Sequence, residues 1–159
     1  MKVRFNVNGE AVEVEARPDE MLLDVLRREL DLMSVRQTCG VGVCGTCTAL
    51  VDGEPFSTCI MLAPLAEGKK ITTVEGLGGN HPVQEAFVAA EAFQCGYCTP
   101  GMILTAKRLL EEDPEPTEEK ISNYMGGNLC RCGCYAKIEH AVSLAASASK
   151  ATAPREGGA

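Results

Sequence analysis

Residues 39–47 read CGVGVCGTC, three cysteines and three glycines in nine positions. Glycine at that density is out of place inside a helix or a strand, so the stretch is a loop. A loop carrying thiols at C-x4-C-x2-C spacing must curl around something that binds sulfur. Cys59 follows twelve residues after Cys47, and Cys39, Cys44, Cys47 and Cys59 together have the plant-type spacing for a [2Fe–2S] cluster. The physical requirement is crowding: the backbone has to wrap an inorganic core closely. Gly40, Gly42 and Gly45 permit positive φ there, and their N–H groups are then free to point at negatively charged sulfur. Structural zinc also takes four cysteines, but its ribbons pair two short knuckles of similar shape. Here three ligands come from one loop and one from afar, which favours iron–sulfur.

A second set lies downstream, Cys95 and Cys98 in QCGYCTPG and Cys130 and Cys132 in NLCRCGCY. In a turning segment, residues two apart face the same way, so Cys130 and Cys132 can grip one centre while Arg131 points elsewhere. A helix opening at Thr99-Pro100, directly after Cys98, would turn free N–H groups and the positive end of its dipole toward an anionic centre. Taken alone this set also suits zinc; beside a ferredoxin-type loop, a second [2Fe–2S] cluster is the stronger reading. Cys134 is left over and reads as a small buried residue. His81, before a proline at a helix start, and His140, in the last helix, read as capping or surface residues rather than ligands. The chain shows no Ser/His/Asp constellation and no paired-carboxylate site.

The rest of the sequence frames these loops. Val3, Phe5 and Val7 alternate with polar residues, as do Val12 and Val14, around Asn8-Gly9, a two-residue hairpin signal. Closing that turn sets Phe5 opposite Val12, Val3 opposite Val14, Arg4 opposite Glu13 and Lys2 opposite Glu15, with apolar pairs on one face and opposite charges on the other. Pro18-Asp19 is expected to open a helix carrying Leu22, Val25, Leu26 and Leu30, with Asp and Glu in its first turn. A second hairpin is expected at Asp52-Gly53 and a strand in KKITTVEG, residues 69–76. The sequence GLGGNHP, residues 76–82, breaks this texture. Helical patterns follow: Pro82 at a first helical position with Val83, Ala86, Phe87 and Ala90 on one face; Thr99 as a cap for a helix through Met102, Ile103, Ala106, Leu109 and Leu110; Thr117 capping Ile121, Tyr124 and Met125; and a last helix with Ile138, Ala141, Val142 and Ala145. The expected fold is α+β, with one domain over 1–76, a helical domain over 77–147 and a small polar tail over 148–159 read as disordered.

A formal net charge of −7 argues against nucleic acid and anionic membrane surfaces, both of which need clustered Lys and Arg. No apolar run approaches the roughly 18–20 residues of a membrane span, and MKVRFNVNGE has no apolar signal core. Nine cysteines without such a signal suit a reducing compartment and metal binding rather than disulfides, so a cytoplasmic protein is expected.

The motif order CGVGVCGTC, STC, QCGYCTPGM, GNLCRC and Tyr135-Ala136-Lys137-Ile138 resembles the iron–sulfur small subunit of the molybdenum hydroxylases, the xanthine dehydrogenase, aldehyde oxidoreductase and carbon monoxide dehydrogenase family, over about residues 1–147. The resemblance implies an N-terminal β-grasp ferredoxin-like domain and a C-terminal four-helix bundle, each with one [2Fe–2S] cluster. It implies Cys39, Cys44, Cys47 and Cys59 as ligands of the outer cluster and Cys95, Cys98, Cys130 and Cys132 as ligands of the inner one. Gln94 and Cys132 match positions that touch the pterin. Implied partners are a large subunit holding molybdopterin, which performs the substrate chemistry, and a medium FAD subunit. CRCGCY departs from the frequent CRCTGY and resembles the isoquinoline oxidoreductase branch, where a cytochrome can replace the flavin subunit, whereas CTPGM resembles the flavin-containing branch. The implied role is single-electron relay from the molybdenum centre to an acceptor. A free two-cluster ferredoxin and a zinc-binding interaction module are the alternatives.

Overall fold

The computed structural model describes residues 1–152 of the chain. The first half forms a five-stranded mixed sheet of β1 (Lys2–Val7), β2 (Glu10–Glu15), β3 (Thr48–Val51), β4 (Glu54–Ser57) and β5 (Lys70–Thr72), in the order β2-β1-β5-β3-β4. β1 and β5 run parallel; the other neighbours are antiparallel. The first hairpin has the register its sequence dictates, Phe5 opposite Val12 and Lys2 opposite Glu15. Asn8 and Gly9 take positive φ of 52° and 90°, and Asp52 and Gly53 repeat this at 51° and 89°. Two consecutive positive φ values give the turn whose twist matches the strands. Val3, Phe5, Val7 and Val14 are buried, while on the other face both Lys2 and Arg4 pair with Glu13.

Helix α1 (Leu22–Arg28) covers the core. At seven residues it is too short to persist alone and is held by packing. Leu22, Leu23, Val25 and Leu26 are fully buried, each contributing about 1.5–3 kcal/mol of transfer energy. It begins four residues after Pro18 rather than at it. Asp19 and Glu20 therefore precede the helix, and Asp24 is the acid of its first turn. Glu20 folds inward instead, accepting from Arg17 N at 3.0 Å and pairing with Arg28 at 2.9 Å. Strand β5 is shorter than the sequence pattern suggests. The Asn8 side chain takes the Thr73 N–H at 2.9 Å and donates to Thr73 Oγ1 at 2.9 Å, ending the ladder, and a 3-10 turn, Val74–Leu77, follows.

The second half is helical: α2 (Pro82–Ala89), α3 (Thr99–Glu112), α4 (Glu118–Met125) and α5 (Tyr135–Thr152). α5 packs against α2, α3 and α4. The buried stripes follow the expected ones, Val83, Ala86 and Phe87; Met102, Ile103, Ala106 and Leu109; Ile121 and Met125; Ile138, Ala141, Val142 and Ala145, with Ala90, Leu110 and Tyr124 only half-buried at their edge. His81 caps α2, its Nδ1 accepting from Val83 N at 3.2 Å while the Gln84 side chain accepts from His81 N. Thr117 Oγ1 accepts from Lys120 N and caps α4. Thr99 does not cap α3: Cys98 holds that position and Thr99 is the first helical residue. α5 continues through Thr152, beyond position 148 where the tail was expected to start; residues 153–159 lie outside the described residues.

Two separate apolar cores result, one under the sheet and one among the helices, with Val74 and Leu77 packed against the second. α3 crosses β3 and β4, and Arg108 of α3 reaches Glu54 of β4 at 2.6 Å. The halves therefore meet where the cysteine loops lie. No helix among the described residues is long and apolar enough to cross a membrane.

Candidate iron–sulfur centres

The nine cysteines are free of disulfides and gather in two groups. In the first, the 39–47 loop runs into β3 and Cys59 follows β4. Gly40, Gly42 and Gly45 all have positive φ, 68°, 76° and 69°. A Cβ on Gly42 would stand 2.6 Å from Ile60 Cδ1, the tip of an exposed side chain that can swing aside, so the positive φ is what asks for glycine there. Backbone N–H groups of Val41, Cys44 and Val43 converge on the Cys39 sulfur, Val41 at 3.4 Å. With the Cys44 thiol they hold Cys39 down at about 6, a cradle built for a thiolate. Burial pushes the Cys59 thiol up to about 11, with the neighbouring Cys47 thiol adding to it, while the Gly42 N–H works the other way.

The second group is assembled from two segments. Cys95 and Cys98 precede α3; Cys130 and Cys132 lie between α4 and α5. The Tyr97 N–H, and then the Cys132 thiol, lower the Cys95 pKa. Burial, reinforced by the neighbouring Cys130 thiol, raises Cys98 to about 12. At Cys130 burial pushes upward, but N–H donation from Cys134, 3.5 Å away, together with the Cys98 thiol and the Cys132 N–H, brings the net shift down. Cys134 is buried in the helical core beside Cys130, and burial raises its thiol. Gln94 and Cys132 meet at the surface, Gln94 Nε2 donating to Cys132 O at 3.4 Å. His81 caps a helix and His140 is exposed, so neither joins a thiol group.

Thiols neighbour one another within each group, Cys39 with Cys44 and Cys47 with Cys59 in the first, Cys95 with Cys132 and Cys98 with Cys130 in the second, where Cys130 also meets Cys134. Zinc asks four thiolates to converge on one ion. Four thiols in each group also match the donor set of a two-iron core, in which each iron takes two thiolates. The Thr99 hydroxyl, next to Cys98, is buried with no hydrogen-bond partner, a donor that a sulfur-rich anion would satisfy. The residues thus fit two [2Fe–2S] groups.

Several supports of these loops are not visible in the local sequence. Leu129 N donates to Cys44 O at 2.9 Å, so one hydrogen bond joins a cysteine of the first group to the neighbour of Cys130. Asn128, 5% exposed, donates from Nδ2 to Gly45 O at 3.0 Å and accepts from Thr105 Oγ1 at 3.0 Å. A Cβ on Gly45 would come within 2.8 Å of Gly127 O, and one on Gly101 within 2.4 Å of Gly45 O. The only local signal for Asn128 is its place between Gly126-Gly127 and Leu129-Cys130.

A fold of ferredoxin-like sheet and helices, carrying two paired thiol groups, defines a protein with two [2Fe–2S] centres. A family model for a 2Fe-2S iron-sulfur cluster binding domain matches residues 5–73, and one for a [2Fe-2S] binding domain matches residues 73–143. The chain is 49% identical over 146 residues to the nicotinate dehydrogenase small FeS subunit of Eubacterium barkeri, covering 90% of this chain and 93% of that one. It is 45% identical over 137 residues to a probable xanthine dehydrogenase subunit of Bacillus subtilis, 85% and 79% of the two. Among solved structures, a chain of quinoline 2-oxidoreductase from Pseudomonas putida 86 superposes with a TM-score of 0.90 at 38% identity, covering 96% of this chain and 97% of that one. The chain belongs to the iron–sulfur small subunits of the molybdenum hydroxylases. It is the electron-transfer subunit of an oxidoreductase, and the free-carrier and zinc-module readings give way to that.

Proposed function

We propose that Cys39, Cys44, Cys47 and Cys59 ligate one cluster and Cys95, Cys98, Cys130 and Cys132 the other, and that the chain relays single electrons from a molybdopterin-bearing large subunit, through the second group and then the first, to an FAD subunit or a cytochrome. The division of the eight cysteines into two sets of four, each within the span of one 2Fe-2S family match, carries this reading. Each [2Fe–2S] group supplies a one-electron couple when bound. The protein's part is to hold the thiolates, aim N–H groups at sulfur and keep the two loops in register. The bond from Leu129 N to Cys44 O gives the loops a direct connection.

The second group is assigned to the molybdenum side because Gln94 and Cys132 lie together at the surface, as the pterin contact requires. Phe93, Tyr97, Leu129 and Tyr135, which flank these cysteines, are large and exposed, and such apolar area suits burial against a partner. Val41, Val43 and Ile60 offer a comparable patch beside the first group, assigned here to the acceptor. The domain division is 1–76 and 77–147, a β-grasp unit and a four-helix bundle, supported by the two cores. Nine free thiols suit the reducing cytoplasm. Anaerobic isolation of the complex tests the assignment. Iron and acid-labile sulfide in equal amounts, and two distinct paramagnetic signals after dithionite, are expected. Zinc in place of iron, or a single signal, overturns it.

A further inference from the structure

Arg36 lies three residues before Cys39, yet its guanidinium reaches the second thiol group. Nη1 donates to Gly96 O at 2.6 Å and to Tyr97 O at 3.1 Å, and the guanidinium carbon stands 5.2 Å from the Tyr97 ring centroid. Tyr97 reaches back, its hydroxyl donating to Gln37 O at 2.9 Å. Both carbonyls that Arg36 touches sit inside the Cys95–Cys98 turn. The Gly96 C=O and the Tyr97 N–H belong to one planar peptide, and that N–H is the main group lowering the Cys95 thiol. A cation at the oxygen end of a peptide draws electron density toward the oxygen and makes the N–H at the other end a stronger donor. Gly96, at φ +74°, lets the turn adopt a conformation that strains other residues.

We propose that Arg36 is a cross-domain positioning residue: it fixes and polarises the 96–97 peptide, and through it sets the reduction potential of the second cluster. The inference rests on the ligand assignment above. Reduction adds negative charge, so N–H donation to sulfur and a nearby cation both favour the reduced form. Losing Arg36 therefore lowers the potential of the second cluster, although the residue belongs to the domain of the first. One nitrogen, Nη1, takes both carbonyls, while the planar group lies over the Tyr97 ring, a contact that a lysine ammonium does not make equally. Asn128 and Leu129 hold the two domains together independently of Arg36.

The test is a paramagnetic-resonance redox titration of both clusters in the full complex, comparing the parent with Arg36→Gln, Arg36→Lys and Tyr97→Phe. In Arg36→Gln the reduced-to-oxidised ratio of the second cluster at fixed potential is expected to fall about tenfold, or about 59 mV for one electron, with the first cluster moving far less. Arg36→Lys should recover part of the shift, and Tyr97→Phe, which keeps both guanidinium contacts, should leave both potentials near the parent. An unmoved second cluster in Arg36→Gln, equal shifts in both clusters, or a Tyr97→Phe shift as large as that of Arg36→Gln each overturns the proposal. A parent complex without two distinguishable clusters overturns the ligand assignment instead.

Discussion

The two thiol groups solve one problem in different ways. The first takes three cysteines from a single glycine-rich loop and the fourth from the end of a hairpin in the same domain. The second joins the turn before α3 to the segment between α4 and α5, and takes part of its support from the sheet domain, through Arg36. A centre with three of its four ligands in one loop is held largely by local backbone geometry, with Leu129 and Asn128 of the helical half bonding to Cys44 O and Gly45 O. A centre assembled from two segments depends on whatever holds those segments together. The second group should therefore respond more strongly to changes outside its own ligands.

The largest effect is expected from the ligands themselves. Cys47→Ser should remove one cluster and halve the iron content while leaving the signal of the second; Cys98→Ser should do the converse, read by iron analysis and paramagnetic resonance. Loss of both signals from Cys47→Ser would reverse the comparison. Next is Gly101→Ala, whose Cβ would meet Gly45 O at 2.4 Å. Overpacking against backbone costs about 3 kcal/mol, so thermal unfolding should occur at lower temperature and the resonances of both clusters should broaden. A variant as stable as the parent would show that the domains separate freely. Asn128→Ala strips Gly45 O and Thr105 of a buried partner and should cost about 2 kcal/mol, measured by denaturant unfolding. The second cluster is expected to be lost first on warming; earlier loss of the first would contradict the comparison.

The smallest effect is acid sensitivity at His81. Burial, with Lys107 nearby, lowers its pKa from the ordinary 6.5. The neutral ring caps α2 through Nδ1, and protonation removes that acceptor. Because the folded value is depressed, the stabilisation is fully present above pH 6.5 and is lost as pH falls through the lowered folded value. His81→Ala should cost about 1 kcal/mol at neutral pH and flatten this acid loss. An unchanged pH profile in the variant would assign the acid sensitivity to other groups.

Local patterns were legible because their physics is local. The 39–47 spacing, the Asn8-Gly9 register and the helix stripes each depend on residues a few positions apart. The misreadings have the opposite origin. Strand β5 ends early because Asn8, 65 positions away, captures Thr73. α1 starts late because Glu20 turns inward to Arg17 and Arg28. Thr99-Pro100 has the look of a cap and first turn, yet Cys98 holds the cap position. Arg36 and Asn128 find partners 60 and 83 positions away, and no spacing rule reaches that far.

The middle strand of the sheet, β5, is the shortest and the last of the five to be synthesised. Until it arrives, the β1–β2 and β3–β4 hairpins have nothing to join them. On the ribosome the first cysteine loop is thus complete in sequence well before the sheet beneath it can close, since non-local strand pairing comes late. Iron delivered to the nascent chain would meet loose thiols; iron delivered after residue 73 has emerged would meet a loop backed by the closed sheet but still without its bonds from Asn128 and Leu129.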